Sequence, residues 1–499
     1  MGERQIIDIA EALDGGIAAR DITYVKGTAY WADNLSRVYE YTLIDSFEKV
    51  SNDKKAYCAA FMTQYREQDA ISGATLVQPH GSGFVVVNPP AMPLSRNELD
   101  AVYDLPYTRL PHPSYTEHIP ALDEVRFSLV SCRGCYGQCA FCALTFHQGR
   151  VIQSRSHESL IAEAKLMTKM PEFKGYIHDV GGPTANFRQP ACKKQLTKGV
   201  CKDRTCLGYS PCKNVEVSHT DYVELLRKLR RLDGVKRVFI RSGIRYDYLM
   251  YDKDETFFKE LIKYHISGQL KVAPEHIDDH VLEMMGKPGG ELYQRFVRRY
   301  KQLNDALGMN QYIVPYFMSS HPGSTLNSAI ALAEYLKASG QRPEQVQDFY
   351  PTPGTLSTCM FYTGLDPRTM KPVYVPVSPE EKAMQRALMQ FFIPKNRPLV
   401  RKALRLADRD DLIGSGRNCL VPDVHQSPAH SGGSSSATKS NHRSQYGATE
   451  HSAIKRKDAR QHTRFGSVEQ SRSNGPNRGV QGKKTVKTSD KRSGVKKHR

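Results

Sequence analysis

Residues 126–153, RFSLVSCRGCYGQCAFCALTFHQGRVIQ, decide how the rest of the chain is read. A strand-like apolar run at 127–130 empties into a loop where Cys135, Cys139 and Cys142 stand in a Cys-x3-Cys-x2-Cys pattern. Four thiolates close a [4Fe–4S] cube, whereas three leave one iron with a vacant position, as a catalytic zinc keeps an open site. The trio therefore points to chemistry at a cluster. Gly137 lets the backbone fold closely around it. A structural zinc site would ask for four ligands in Cys-x2-Cys pairs, and a redox pair would use Cys139 and Cys142 alone. Cys132 offers a fourth thiol for a closed cluster, but the register is complete without it, so it reads as a bystander.

The segment 133–142, RGCYGQCAFC, followed by RVIQSRS at 150–156, resembles the radical S-adenosylmethionine (radical SAM) superfamily and, within it, the YgiQ family. The resemblance implies that the open iron chelates the methionine part of SAM. One electron would then cleave the sulfonium to a 5′-deoxyadenosyl radical. Tyr136 or Phe141 would lie near the cluster or the adenine.

Outward from the loop, Ser156 reads as the N-cap of a helix that leads to a buried strand at 176–180, ending in Gly181-Gly182-Pro183. The superfamily carries Gly-Gly-Glu here, receiving the SAM ammonium; Pro183 replaces the glutamate, and carbonyl acceptors on Gly181 and Gly182 would remain. Strand-like runs then recur near 237–240, 270–275, 312–317 and 346–350, separated by helical patterns. Six β–α steps imply a buried parallel sheet. The resemblance makes it a partial (β/α)6 TIM-like barrel over residues 123–378, with polar clusters at the C-terminal strand ends. Glu275 and His276 read equally as site or pairing groups, Arg241 and Arg245 read as members of structural ion pairs, and none of them is assigned to the site.

A Cys-rich insertion at about 188–215 holds Cys192, Cys201, Cys206 and Cys212. Four thiols in a polar loop have no core to join, which suggests a second metal, zinc or an auxiliary cluster. Eight of the eleven cysteines fall in these two places, which argues for metal in a reducing cytoplasm rather than for disulfides.

Residues 2–13 read as an amphipathic helix with Ile6, Ile9, Ala10 and Leu13 on one face. In YgiQ relatives a similar segment closes an upstream α/β domain resembling cobalamin-binding domains. The resemblance therefore implies an N-terminally truncated relative, with no cobalamin site carried over. Residues 1–122 read as a remnant of that domain followed by an irregular, proline-rich, extended segment. Residues 379–424 read as a C-terminal helical extension, and 425–499 as a disordered basic tail. That tail carries 17 Lys and Arg against 4 Asp and Glu, hence +13 of the formal +19, so the basicity is mostly the tail's. Weak nucleic-acid contact through it is conceivable. No run of about eighteen apolar residues points to a membrane.

These readings converge on a cytoplasmic radical SAM enzyme of unknown substrate, reduced by a flavodoxin- or ferredoxin-type donor. The elements around 275–288 are also similar in order to those of radical SAM methylthiotransferases. A nucleic-acid-binding protein with a structural cluster, or an inactive cluster-binding remnant, stands as the alternative of another class.

Overall fold

In the computed structural model, residues 2–423 are described. The first expectation to fall is the irregular N-terminal segment. Residues 29–87 form a four-stranded mixed sheet of β1 (Ala29–Ala32), β2 (Tyr41–Leu43), β3 (Thr75–His80) and β4 (Gly83–Val87), in the order β1-β4-β3-β2. The β3–β4 hairpin turns through Gly81 at φ +58°, a conformation glycine adopts without a Cβ penalty. The helix Lys54–Arg66 buries Ala56, Cys58, Ala60, Met62 and Tyr65, and Asp53 caps it by accepting the Lys55 and Ala56 N–H groups. Short strands separated by polar turns leave a weak periodic signal, which the nearby prolines mask. Those prolines do keep residues 105–119 free of helix and strand, as expected.

The helix Glu3–Asp14 forms as its periodicity predicts, but its apolar face is open: Ile6 is 64% and Leu13 48% exposed, and only Ala12 is buried.

All six predicted strand positions of the central α/β region are occupied: β5 (Ser128–Val130), β8 (Tyr176–Ile177) with β9 (Asp179–Gly181), β10 (Arg237–Val238), β11 (Gln269–Glu275), β12 (Tyr312–Ser319) and β13 (Gln347–Asp348). Their ladders are parallel, β5 with β9, β8 with β10, and β11 through β12 to β13. Between β10 and β11 no ladder forms; the Ile240 N–H instead donates to the His265 carbonyl at 3.0 Å. The architecture is thus α/β with a parallel sheet in three pieces.

Helices join the strands. His157–Thr168 starts on Ser156, whose hydroxyl accepts the Ser159 N–H, as the sequence predicts. It buries Leu160, Ala164 and Met167 in a core shared with Leu129, Ile177, Val180, Val238, Leu270 and Phe317.

In the C-terminal extension, the helices Pro379–Met389 and Arg397–Leu406 pack with Leu326–Ser339, around a second core of Ile330, Leu388, Val400 and Leu404. The insertion at 188–215 has one short helix, Lys194–Lys198. The expected tail at 425–499 lies outside the described residues.

Candidate functional site: the cysteine loop and its surroundings

A two-residue antiparallel ladder of β6 (Cys132–Arg133) and β7 (Gln153–Ser154) closes the base of the cysteine loop. Within the loop, the Cys135 N–H donates to the Gly149 carbonyl at 3.0 Å, and Gly134 sits at φ +89°, where a Cβ would lie 2.3 Å from the Val151 oxygen. Ala140 is held from both sides. Its N–H donates to Met285, at the end of the helix Asp279–Met285, and its carbonyl accepts from Ser357, at the start of the helix Leu356–Thr363.

Donors surround the sulfurs. The Gly137 N–H lies 3.4 Å from Cys135 Sγ, the Thr184 hydroxyl 3.7 Å from the same atom, and Arg245 Nη1 3.3 Å from Cys139 Sγ. A Cβ at Gly137 would meet that guanidinium at 2.9 Å and Cys135 Sγ at 3.3 Å, so glycine is what admits the arginine. Cys132 Sγ turns instead to the Thr184 carbonyl at 3.9 Å, and burial pushes its thiol up to about 11. Burial, then the neighbouring Cys139, raises the Cys135 thiol and takes Cys142 to about 11. Neutral thiols crowded in this way release protons when a metal binds. Three sulfurs on one loop, with N–H and guanidinium donors towards them, are a donor set that fits a three-thiolate cluster.

Arg245 is the residue that sequence reasoning undervalued. Burial works against its charge, but Asp247 and the thiols of Cys139 and Cys135 outweigh it and hold the guanidinium charged. Its Nε donates to Asp247 at 2.8 Å, so the expected ion pair exists, and a spare nitrogen reaches the loop. Its position after β10, at a strand end, was the available signal. Arg241, by contrast, pairs with Glu124 at 2.7 Å on the surface.

Glu275 pairs with Lys287 at 3.8 Å rather than with Lys271, and both are buried. Glu275 is held at φ +69°, an uncommon conformation for a side-chain-bearing residue. Burial raises its carboxyl above the usual range, with Lys287 and Arg245 opposing. Lys287 Nζ also lies 5.9 Å from the ring centroid of Phe141, between Cys139 and Cys142. His276 and His321 are buried neutral: burial brings them down to about 4 and about 3.

Gly181 and Gly182 border the loop, because Thr184 beside them reaches Cys135. Both are required for close packing. A Cβ on Gly181 would lie 2.0 Å from Ser242 Oγ, and one on Gly182 2.6 Å from Cys132 Sγ. The Gly181 carbonyl accepts the Ser131 N–H at 2.7 Å, so the expectation of two uncovered carbonyls holds only for Gly182, to which no hydrogen bond forms among the described residues.

The thiols of Cys192, Cys201, Cys206 and Cys212 line one cavity, and burial followed by the other three pushes Cys206 up to about 12. Among the described residues, no three His, Cys, Asp or Glu side chains are gathered closely enough to hold a single metal ion. Nor is any helix among them long and apolar enough to cross a membrane.

Residues 129–336 match the radical SAM superfamily, and residues 1–128 match the radical SAM N-terminal family. The chain carries a radical SAM domain. The cofactors of a radical SAM domain are a [4Fe–4S] cluster and SAM. Residues 344–490 match a domain of unknown function. A UPF0313 protein of Clostridium perfringens (strain 13) is 58% identical over 426 residues, covering 85% of this chain and 64% of the relative. One of Clostridium botulinum (strain 657) is 56% identical over 424 residues, covering 85% of this chain and 66% of the relative. The chain thus spans a little under two thirds of the length of these relatives. The radical S-adenosylmethionine methyltransferase TsrM from Kitasatospora setae, solved with cobalamin and a [4Fe–4S] cluster bound, overlays at a TM-score of 0.34 with 13% identity, over 66% of this chain and 71% of that one.

Proposed function

We propose that this chain is a radical SAM enzyme of the YgiQ type, in which Cys135, Cys139 and Cys142 hold a [4Fe–4S] cluster and Gly181 and Gly182 lie beside SAM. The observation that carries the reading is a loop with three thiols, pinned at Ala140 from two helices, with Cys132 turned away. Bound there, the cluster would supply one electron for reductive cleavage of SAM, on the way to hydrogen abstraction from an unknown substrate.

The protein's own residues prepare that site. Arg245 places fixed positive charge against Cys139, which favours thiolate and an electron-rich cluster. The Gly137 N–H and the Thr184 hydroxyl supply further donors to sulfur. The Gly182 carbonyl is free to accept from an ammonium group, the role that a glutamate plays elsewhere in the superfamily and Pro183 cannot. Lys287 and Glu275 form a buried pair by Phe141 of the loop, where a polar ligand would be read out by charge.

The six strand positions and the polar strand ends support a partial (β/α)6 barrel over 123–378, flanked by the N-terminal unit and the helical extension. Dependence on a reduced, oxygen-sensitive cluster suits a cytoplasmic protein supplied by a flavodoxin- or ferredoxin-type donor.

Anaerobically reconstituted protein given dithionite and SAM should release 5′-deoxyadenosine in near-stoichiometric amount. A variant with Cys135, Cys139 and Cys142 changed to Ala should release none. Equal release from both proteins would end the proposal.

A further inference from the structure

A second group of thiols gathers where no secondary structure requires it. Cys192, Cys201, Cys206 and Cys212 come from a loop-rich insertion, yet all four line one cavity of about 180 Å3. Cysteine is buried most often as a small apolar core residue, but here the wall also holds Lys194, Gln195, Arg204 and Asn214. Two of those side chains face sulfur: Lys194 Nζ is 3.5 Å from Cys201 Sγ, and Gln195 Nε2 is 3.7 Å from Cys206 Sγ. Donors aimed at sulfur are what a thiolate-bound metal centre needs around it.

The insertion is anchored on three sides. The Cys206 N–H donates to Gln138 Oε1 at 3.3 Å, within the three-cysteine loop, and the Cys212 N–H donates to the Cys206 carbonyl at 3.0 Å. The Cys201 carbonyl accepts from Arg150, and the Val200 N–H donates to Asp69 in the N-terminal unit. The four cysteines are thus brought together by tertiary contacts between distant parts of the chain.

The arrangement separates a single ion from a cluster. Tetrahedral zinc, with Zn–S bonds of about 2.3 Å, draws its sulfurs to within about 4 Å of one another. Here no three of the thiols are gathered for a single ion among the described residues, although the four share a cavity. The spacing offers one short pair, Cys201 and Cys206, with Cys192 and Cys212 farther off, and so lacks the two short pairs from which structural zinc sites are built. An iron–sulfur cube holds its ligands farther apart, at its corners, and accepts irregular spacing.

We propose that Cys192, Cys201, Cys206 and Cys212 ligate a second iron–sulfur cluster, a [4Fe–4S] cube closed by four thiolates. It stands next to the three-cysteine loop: Cys206 and Cys135 flank one apolar group containing Tyr136 and Phe187, whose rings stack at 4.0 Å. This assignment is independent of what the first site does with SAM.

The test is metal analysis of the full chain reconstituted without oxygen with iron and sulfide. The parent should carry about eight irons and eight sulfides per chain, and the variant with Cys135, Cys139 and Cys142 changed to Ala about four of each, with cubane absorption retained. The variant with Cys192, Cys201, Cys206 and Cys212 changed to Ser should also carry about four. Should that variant fail to fold, the iron of the Ala variant still decides the matter. An Ala variant with no iron, or one holding a single zinc in its place, overturns the proposal. So does a folded Ser variant with all of the parent's iron.

Discussion

Arg245 Nη1 lies 3.3 Å from Cys139 Sγ, so a buried guanidinium from the exit of β10 touches the cysteine loop 106 residues earlier in the chain. The same side chain is paired with Asp247, which is fully buried. One arginine therefore ties the strand end to the proposed cluster.

Removing that guanidinium alone leaves Asp247 as an uncompensated buried charge. Arg245→Met should cost about 3–5 kcal/mol, and the double change with Asp247→Leu should recover most of it. Anaerobic thermal melting of the two variants checks this. With the cluster loaded, loss of positive charge beside Cys139 should also make the double variant harder to reduce, read as a lower midpoint potential in an EPR titration.

The diglycine is predicted to be intolerant for packing reasons. Gly182→Ala would drive a methyl group into Cys132 Sγ, at 2.6 Å, and overpacking of this kind costs about 1–3 kcal/mol. Adding Cys132→Ala should return part of that stability, since the sulfur is the nearest obstacle. Cys132→Ala alone should leave the iron content unchanged; iron lost in that variant would make Cys132 a ligand.

Buried histidines, among them His265, His276 and His321, set an acid limit on stability. Burial lowers His265 and His276 to about 4 and His321 to about 3, from an ordinary value of 6.5. Between these values the unfolded chain binds protons that the folded chain refuses. Stability is therefore complete above pH 6.5 and is lost as pH falls towards 4, by about 1.4 kcal/mol per pH unit for each histidine. Melting curves from pH 7 to 5 should show this slope. His265→Gln, which removes one of them, should make it shallower.

The open face of the first helix makes the opposite prediction. Ile6→Lys and Leu13→Lys fall on exposed positions and should change stability by no more than about 0.5 kcal/mol. A larger drop in melting temperature would mean that the face is covered in solution.

The chain's linear text determined a good deal. Spacing alone singled out Cys135, Cys139 and Cys142, because the proposed cluster loop is a local object whose ligands lie close in sequence. Strand and helix order, the Ser156 cap and the six β–α steps were legible for the same reason: periodicity and capping act over a few residues. Only the tertiary structure decided which distant groups meet. The four-stranded sheet within residues 29–87 was hidden because its strands are short and two of its three pairings, β1 with β4 and β2 with β3, cross long connections. The Arg245 contact with Cys139, the pairing of Glu275 with Lys287, and the convergence of Cys192, Cys201, Cys206 and Cys212 on one cavity depend on side-chain direction and burial, which exist only once the core has packed.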